Sequence, residues 1–203
     1  MYDKIQSLKC PNCNAPIKID SNTCNYCGYD YIIQSLSYLG GIDSTKINKY
    51  ITFYKSQLDE KPYDSMLNLA LGICYLDLGL NDFAQNYLKK AIDISPENSD
   101  TYIYFALSLI DEKKLSLMKI QKIKEIEKLI NASIKINPNK ATYYYFLIIV
   151  KQEFYIKNGF KIDISINELK EKANSLKYDE LEIKQLIKLL NMSITDFNNT
   201  IIN

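Results

Sequence analysis

Residues 65–98 read SMLNLALGICYLDLGLNDFAQNYLKKAIDISPEN, and no other stretch constrains the fold as strongly. Two helical patterns lie inside it, separated by a break at Gly79-Leu80-Asn81. Leu71, Gly72 and Tyr75 fall on one face of the first, and Ala84, Leu88 and Ala91 recur at i, i+4 and i+7 on one face of the second. Small side chains at Gly72, Ala84 and Ala91 let the two backbones approach closely. Pro96 has no amide hydrogen to donate and ends the second helix. The expected product is an antiparallel helix pair whose apolar faces cannot be buried by the pair alone.

Further helical patterns flank this pair. Asp43 or Ser44 caps a helix to about residue 58, with Ile47, Tyr50, Ile51 and Tyr54 inward and Pro62 after it. Ser99 or Asp100 starts a helix carrying Tyr102, Phe105, Ala106 and Leu109. A long helix is expected from about Lys113 to Ile136, stopped at Asn137-Pro138, and another from Ala141 to about Lys157. Ser165-Ile-Asn-Glu168 is a capping box for a helix to about Leu176. A last helix runs from Tyr178-Asp179 to about Asn191, and the chain frays from Thr195 onward.

Pro62 and Pro96 are 34 residues apart, a period that points to a helical solenoid. Residues 65–98 resemble the tetratricopeptide repeat: Leu71-Gly72, Tyr75, Ala84, Leu88, Ala91 and Pro96 stand where that family has them. Asn68 departs from the pattern, which has a large aromatic there. The units at 99–140 and 141–178 are degenerate, the former carrying about eight residues beyond the family's repeat length. The resemblance covers roughly residues 43–190 and implies a concave groove, lined by the first helix of each unit, that binds peptides or helices. Carried onto this chain, the groove residues are Met66, Leu69, Ile73, Leu76, Asp77, Ile103, Leu107, Ile110, Tyr145 and Ile149, with Gln152 beside them. The surface is mostly apolar and lacks the Lys and Asn of repeats that clamp a peptide carboxylate. It suits an amphipathic helix, from a partner protein or from this chain's own terminal helix or N-terminal module.

The N-terminal segment has a different chemistry. Cys10, Cys13, Cys24 and Cys27 form C-x2-C-x10-C-x2-C. Each pair makes a tight turn whose thiolates converge, and Gly28 suits such a turn because it tolerates positive φ. Between the pairs, Ala15 to Asp20 alternates and turns at Ser21-Asn22, as a β-hairpin would. So short a segment has too little apolar mass to fold without a staple. Paired C-x2-C motifs point to zinc; a disulfide pair or iron is the alternative. The segment resembles zinc ribbons, and the resemblance makes Cys10, Cys13, Cys24 and Cys27 the ligands of one closed, structural zinc ion. Cys-Pro-x-Cys also resembles rubredoxin knuckles, whose pairs stand much farther apart, which disfavours iron. Cys74 stands apart from these four and reads as a small buried apolar residue.

Composition excludes several functions. The chain has no His, no Arg and no Trp, and its net charge is +1. Without His there is no Ser/His or Cys/His catalytic pair, and without Arg there is no forked donor for phosphates or guanine edges. No Gly-rich phosphate loop and no carboxylate–His metal cluster is present. The seven Lys and four acids of residues 111–135 read as a solvated helix face around Met118, Ile123, Ile126 and Ile130. The most apolar run, Tyr143 to Val150, is well short of the ~20 residues of a membrane span. No secretory leader is seen at residues 1–10, so a cytoplasmic location, without membrane contact, is expected.

The expected architecture is mainly α: a tetratricopeptide-like α-solenoid of helical hairpins with a small N-terminal β zinc-ribbon module. The expected boundaries are a ribbon at 1–34, a linker at 35–42, a repeat domain with a capping helix at 43–192 and a tail at 193–203. The expected function is a non-catalytic scaffold or adaptor, with one structural zinc ion and a protein partner held in the groove. The alternative is a nucleic-acid-associated factor acting through the ribbon, where Tyr26, Tyr29 and Tyr31 are available for base stacking.

Overall fold

The computed structural model describes residues 13, 15–16, 23–28, 33–39, 44–110, 114–162 and 165–202. Nine α-helices are found among them: α1 (Ser44–Glu60), α2 (Ser65–Asp77), α3 (Asn81–Ile94), α4 (Ser99–Ser108), α5 (Ile120–Ile136), α6 (Ala141–Val150), α7 (Ile166–Asn174), α8 (Glu180–Leu189) and α9 (Ile194–Ile202). Two single 3-10 turns, Leu36–Leu39 and Leu115–Leu117, lie between them, and α6 runs on as a π-helix over Lys151–Ile156.

Helices α2 and α3 form the tightest pair. The Asp64 carboxylate accepts from the Met66 and Leu67 amides at 2.9 and 3.0 Å, which satisfies free donors at the start of α2. Gly79 takes a φ of 71° and ends the helix in the left-handed region that favours glycine. The α3 stripe Ala84, Leu88 and Ala91 is buried against α2. At Gly72 the approach is so close that an added Cβ would lie 2.5 Å from Leu88 Cγ. Asn68, the departure from the repeat pattern, is buried and donates from Nδ2 to the Asp64 carbonyl at 2.8 Å. A polar side chain is tolerated there because it pairs with the residue that caps its own helix.

The pairs α2/α3, α4/α5 and α6/α7 stack in chain order, with α1 packed on α2. Ile123, Ile126 and Ile130 of α5 are fully buried, in the 3.6-residue rhythm of an amphipathic helix. Every residue of α6 is buried, and so is every residue of α2 from Leu67 to Leu76. Tyr143 to Val150 is thus an enclosed helix, and no helix among the described residues is long and apolar enough to cross a membrane.

Three sequence expectations change. The long helix expected from Lys113 begins instead at Ile120. The extra residues of this unit form the Leu115–Leu117 turn, which buries Leu115, packs on the π-helix and accepts at the Ser116 carbonyl from Asn158 Nδ2 at 3.1 Å. Residues 36–39, expected within a linker, are a 3-10 turn with Leu36 and Leu39 buried in the core. The stretch from Thr195, expected to fray, lies in α9, where Phe197, Thr200 and Ile201 are buried at helical spacing. Ser193 starts this helix by accepting from the Asp196 amide at 3.0 Å. Of the expected β-hairpin, only isolated β-bridges at Pro16 and Thr23 fall on described residues; most of the hairpin lies outside them.

Two outcomes follow from this packing. Gly72→Ala forces a methyl group into the fully buried Leu88 side chain, so it is expected to destabilise the fold by about 1–3 kcal/mol despite alanine's better helix propensity; denaturant unfolding at equilibrium measures this. Cys74 is fully buried and its thiol is pushed far up by that burial, with Asp77 adding to the shift. It is expected to stay unalkylated in the native protein and to react only after denaturation, as peptide mapping by mass spectrometry will show.

Candidate functional site

Two arrangements carry chemistry. The first is a thiolate cluster. The sulfur atoms of Cys13, Cys24 and Cys27 all lie within 4.8 Å of one another. Cys13 Sγ and Cys24 Sγ are 3.5 Å apart, well beyond the ~2.0 Å of a disulfide. A tetrahedral thiolate site with ~2.3 Å metal–sulfur bonds puts its sulfurs ~3.8 Å apart, so the cluster has the dimensions of a metal site. The local fold explains the convergence. The Gly28 amide donates to the Cys24 carbonyl at 2.8 Å and closes a tight turn around Cys24 to Cys27. Gly28 itself has a φ of 70°, a value that suits glycine. Cys24 is buried, whereas Cys13 and Cys27 reach the surface. The fourth expected ligand, Cys10, lies outside the described residues. Three soft sulfur donors without a carboxylate or imidazole among them suit zinc and other thiophilic ions.

The second arrangement is the inner face of the solenoid. Of the residues expected to line it, Leu69, Ile73, Leu76, Ile103, Leu107, Ile110, Tyr145 and Ile149 are buried, Met66 and Asp77 are half-buried, Gln152 stands on the π-helix, and Leu76, Asp77, Leu107 and Ile110 share one cleft. Their cover comes from the chain itself. The Leu36–Leu39 turn packs on α2 and on α8. At one end of α8, Leu189 meets Leu76, Leu107 and Ile110 around a cleft of about 290 Å³. Helix α9 closes the third unit: Tyr145 meets Phe197 edge-on at 5.9 Å and Tyr178 at 6.2 Å, and its hydroxyl donates to Asn174 Oδ1 at 3.3 Å.

Polar contacts fix α8 at both ends. Lys188 Nζ lies 2.8 Å from Asp77 Oδ1, at the last residue of α2. Near the other end, Lys140 Nζ sits between two carboxylates, 2.6 Å from Asp100 Oδ1 and 2.8 Å from Glu182 Oε1. Thr142 Oγ1 donates to Glu182 Oε2 at 3.1 Å, and the Tyr143 hydroxyl donates to Asp100 Oδ1 at 2.6 Å. Burial holds the Glu182 carboxyl above the usual carboxylate range, against the opposing pull of Lys140. Burial likewise raises Tyr143, and the Asp100 charge adds to it. Asp100, Lys140 and Glu182 escape a sequence reading because no local pattern pairs residues 40 or more positions apart. The detectable signal is Asp77, a lone acid in an apolar groove that calls for a cation.

A third cluster ties α5 to the π-helix. Glu127 pairs with the buried Lys151 and accepts from the Tyr155 hydroxyl at 2.8 Å, with Lys151 Nζ 4.7 Å from the Tyr155 ring centre. Burial, followed by this bond to Glu127, pushes the Tyr155 hydroxyl up to about 12. Each charged member has its partner within the cluster, and the arrangement reads as a structural clamp.

No protein-family model matches the chain. No curated protein matches it either. Among solved structures, the "MamA RS-1 ArsTM double mutant" superposes with a TM-score of 0.50 at 17% identity, over 74% of this chain and 75% of that one. TTC0263, a thermophilic TPR protein in Thermus thermophilus, superposes with a TM-score of 0.48 at 14% identity, over 77% of this chain and 72% of that one. The fold is the tetratricopeptide-type α-solenoid.

Proposed function

We propose that this protein is a non-catalytic, helix-binding scaffold of the cytoplasm, in which a structural zinc ion holds the N-terminal cysteine module. The observation that carries this reading is the amphipathic helix α8, packed on α6 and the Leu36–Leu39 turn, with its Glu182 paired to Lys140 near one end and its Lys188 to Asp77 of α2 at the other. The molecule thereby displays on itself a helix-in-groove mode of recognition, in which apolar burial supplies affinity and flanking charges set register. A partner protein would engage through the same chemistry. Affinity capture with the full chain, followed by reconstitution of the purified pair, tests it. A defined stoichiometry and the negative heat-capacity change of apolar burial are expected. Capture that yields no protein binding directly to the purified chain would sink the reading.

The geometry of Cys13, Cys24 and Cys27 supports the metal, and the pairing of the motifs assigns Cys10 as the fourth ligand. When bound, zinc would supply cross-linking and no reactive position, because four thiolates close its coordination shell. Native mass spectrometry and elemental analysis are expected to find one zinc per chain, and cobalt substitution to give the absorption of a tetrahedral thiolate site. Cys24→Ser should abolish both. Chelation is expected to unfold residues 10–33 and to leave the helical signal in place, since the helices carry an apolar core that needs no metal. Absence of metal in protein purified under reducing conditions, or iron in its place, contradicts the assignment.

A further inference from the structure

Helix α8 fits the groove well in its charges and poorly in its buried polar atoms. Among the described residues, the buried side-chain oxygens without a hydrogen bond are Tyr104 Oη and Gln185 Oε1. Gln185 belongs to α8 itself. Tyr104, on α4, lies in the field of Asp100, Glu182 and Tyr143, with the Leu36 backbone beside its hydroxyl. At the same seat two carboxylates share one ammonium group. Orphaned polar atoms are costly. Elsewhere the stack is closed by fully buried Ala84, Leu88, Ile123, Ile126 and Ile130. Frustration is therefore concentrated where α8 meets the inner face. The connection leading into α8, Lys177 to Asp179, is non-helical and exposed, anchored by the Tyr178–Tyr145 ring contact and by Asp179, which caps α8.

We infer that α8 is an exchangeable occupant of the groove, displaced by an amphipathic helix from another protein that carries the same order of side chains. This rests on the scaffold reading above and gives the ligand its chemistry. The order is read from α8: an acid at i (Glu182), leucine at i+4 and i+7 (Leu186, Leu189) and lysine at i+6 (Lys188). Its direction is fixed as well. The acid belongs at the N-termini of α4 and α6, beside Asp100, Lys140 and Thr142, and the lysine at the C-terminus of α2, beside Asp77. The helix dipoles of the groove favour that polarity, positive at N-termini and negative at C-termini. A helix with its acid and base exchanged would be rejected by Lys140 and Asp77 together.

The test uses the full chain and a fluorescein-labelled peptide of residues 179–191, whose order the ligand is inferred to share. Glu182→Lys sets two lysines against each other at the seat and should free α8. By fluorescence anisotropy, this variant is expected to bind the peptide at least ten-fold more tightly than the unaltered protein, and a peptide carrying the same Glu182→Lys change should bind neither. In hydrogen–deuterium exchange on the unaltered protein, α8 amides are expected to exchange at least ten-fold faster than those of α2 to α5. That second measurement decides the matter if the variant fails to fold. Protection of α8 equal to that of α2–α5 overturns the inference, as does a folded variant that ignores the peptide. A dimer formed by exchange of α8 between two copies, seen by light scattering, also overturns it. If α8 is immobile yet a partner binds elsewhere, the scaffold reading survives and this inference does not. If α8 exchanges but no purified protein binds, the scaffold reading fails and takes with it the assignment of the occupant to another protein, leaving only the mobility of α8.

Discussion

Helices α2 and α6 are apolar nearly all the way round, and the arrangement of the other elements answers that fact. An amphipathic helix needs cover on one side; a helix buried at every residue from Ala141 to Val150 needs it on all sides. Helices α3, α5 and α7 cover the outer side of their partners. They cannot reach the inner side, which in an open solenoid would face water as a large apolar patch, a surface that monomeric proteins seldom leave bare. The Leu36–Leu39 turn, α8 and α9 supply the missing cover, and each of them buries residues of its own in doing so.

This origin explains which parts of the structure can be read from the sequence. The α2/α3 pair is legible because its signals are local: the Pro62–Pro96 spacing, the Ala84–Leu88–Ala91 stripe and the Gly79 break all act within a few turns of helix. The capping box at Ser165 belongs to the same class, and its hydroxyl accepts from the Glu168 amide at 3.5 Å. The inner lining is legible only as a set of apolar positions. What covers it depends on contacts such as Asp77 with Lys188, 111 residues apart, which no periodicity encodes. A linker reading of residues 35–42 follows Gly40-Gly41 and passes over Leu36 and Leu39, one helical turn apart and both buried. A frayed-end reading likewise passes over Phe197 and Ile201. The late start of α5 has no breaker to announce it, since neither Gly nor Pro occurs between Asp111 and Ile136.

The two candidate sites answer different physical needs. The thiolate cluster compensates for a segment too small to fold by apolar burial, and its geometry is visible in the three described sulfurs. The groove has apolar surface in excess. The chain meets that excess with a helix whose charges match and whose buried amide and neighbouring phenol do not. A permanent core element would be expected to resolve such a mismatch by an apolar replacement, as α5 does with its isoleucines. Polar groups buried elsewhere in the stack, such as Asn68 and Lys151, have hydrogen-bonding or charged partners, and the Gln185 and Tyr104 oxygens do not.

The contact between the Leu36–Leu39 turn and α8 also changes the connectivity of the array. In a linear stack each unit touches only its neighbours, so stability is a sum of nearest-neighbour terms and unfolding can begin at either end. Here segments about 140 residues apart in the chain meet across the concave side, and the open row becomes a ring of contacts. Such a ring couples the first unit directly to the last. Loss of one terminal segment then uncovers the opposite end as well, and long-range closure slows folding relative to an open array of the same length.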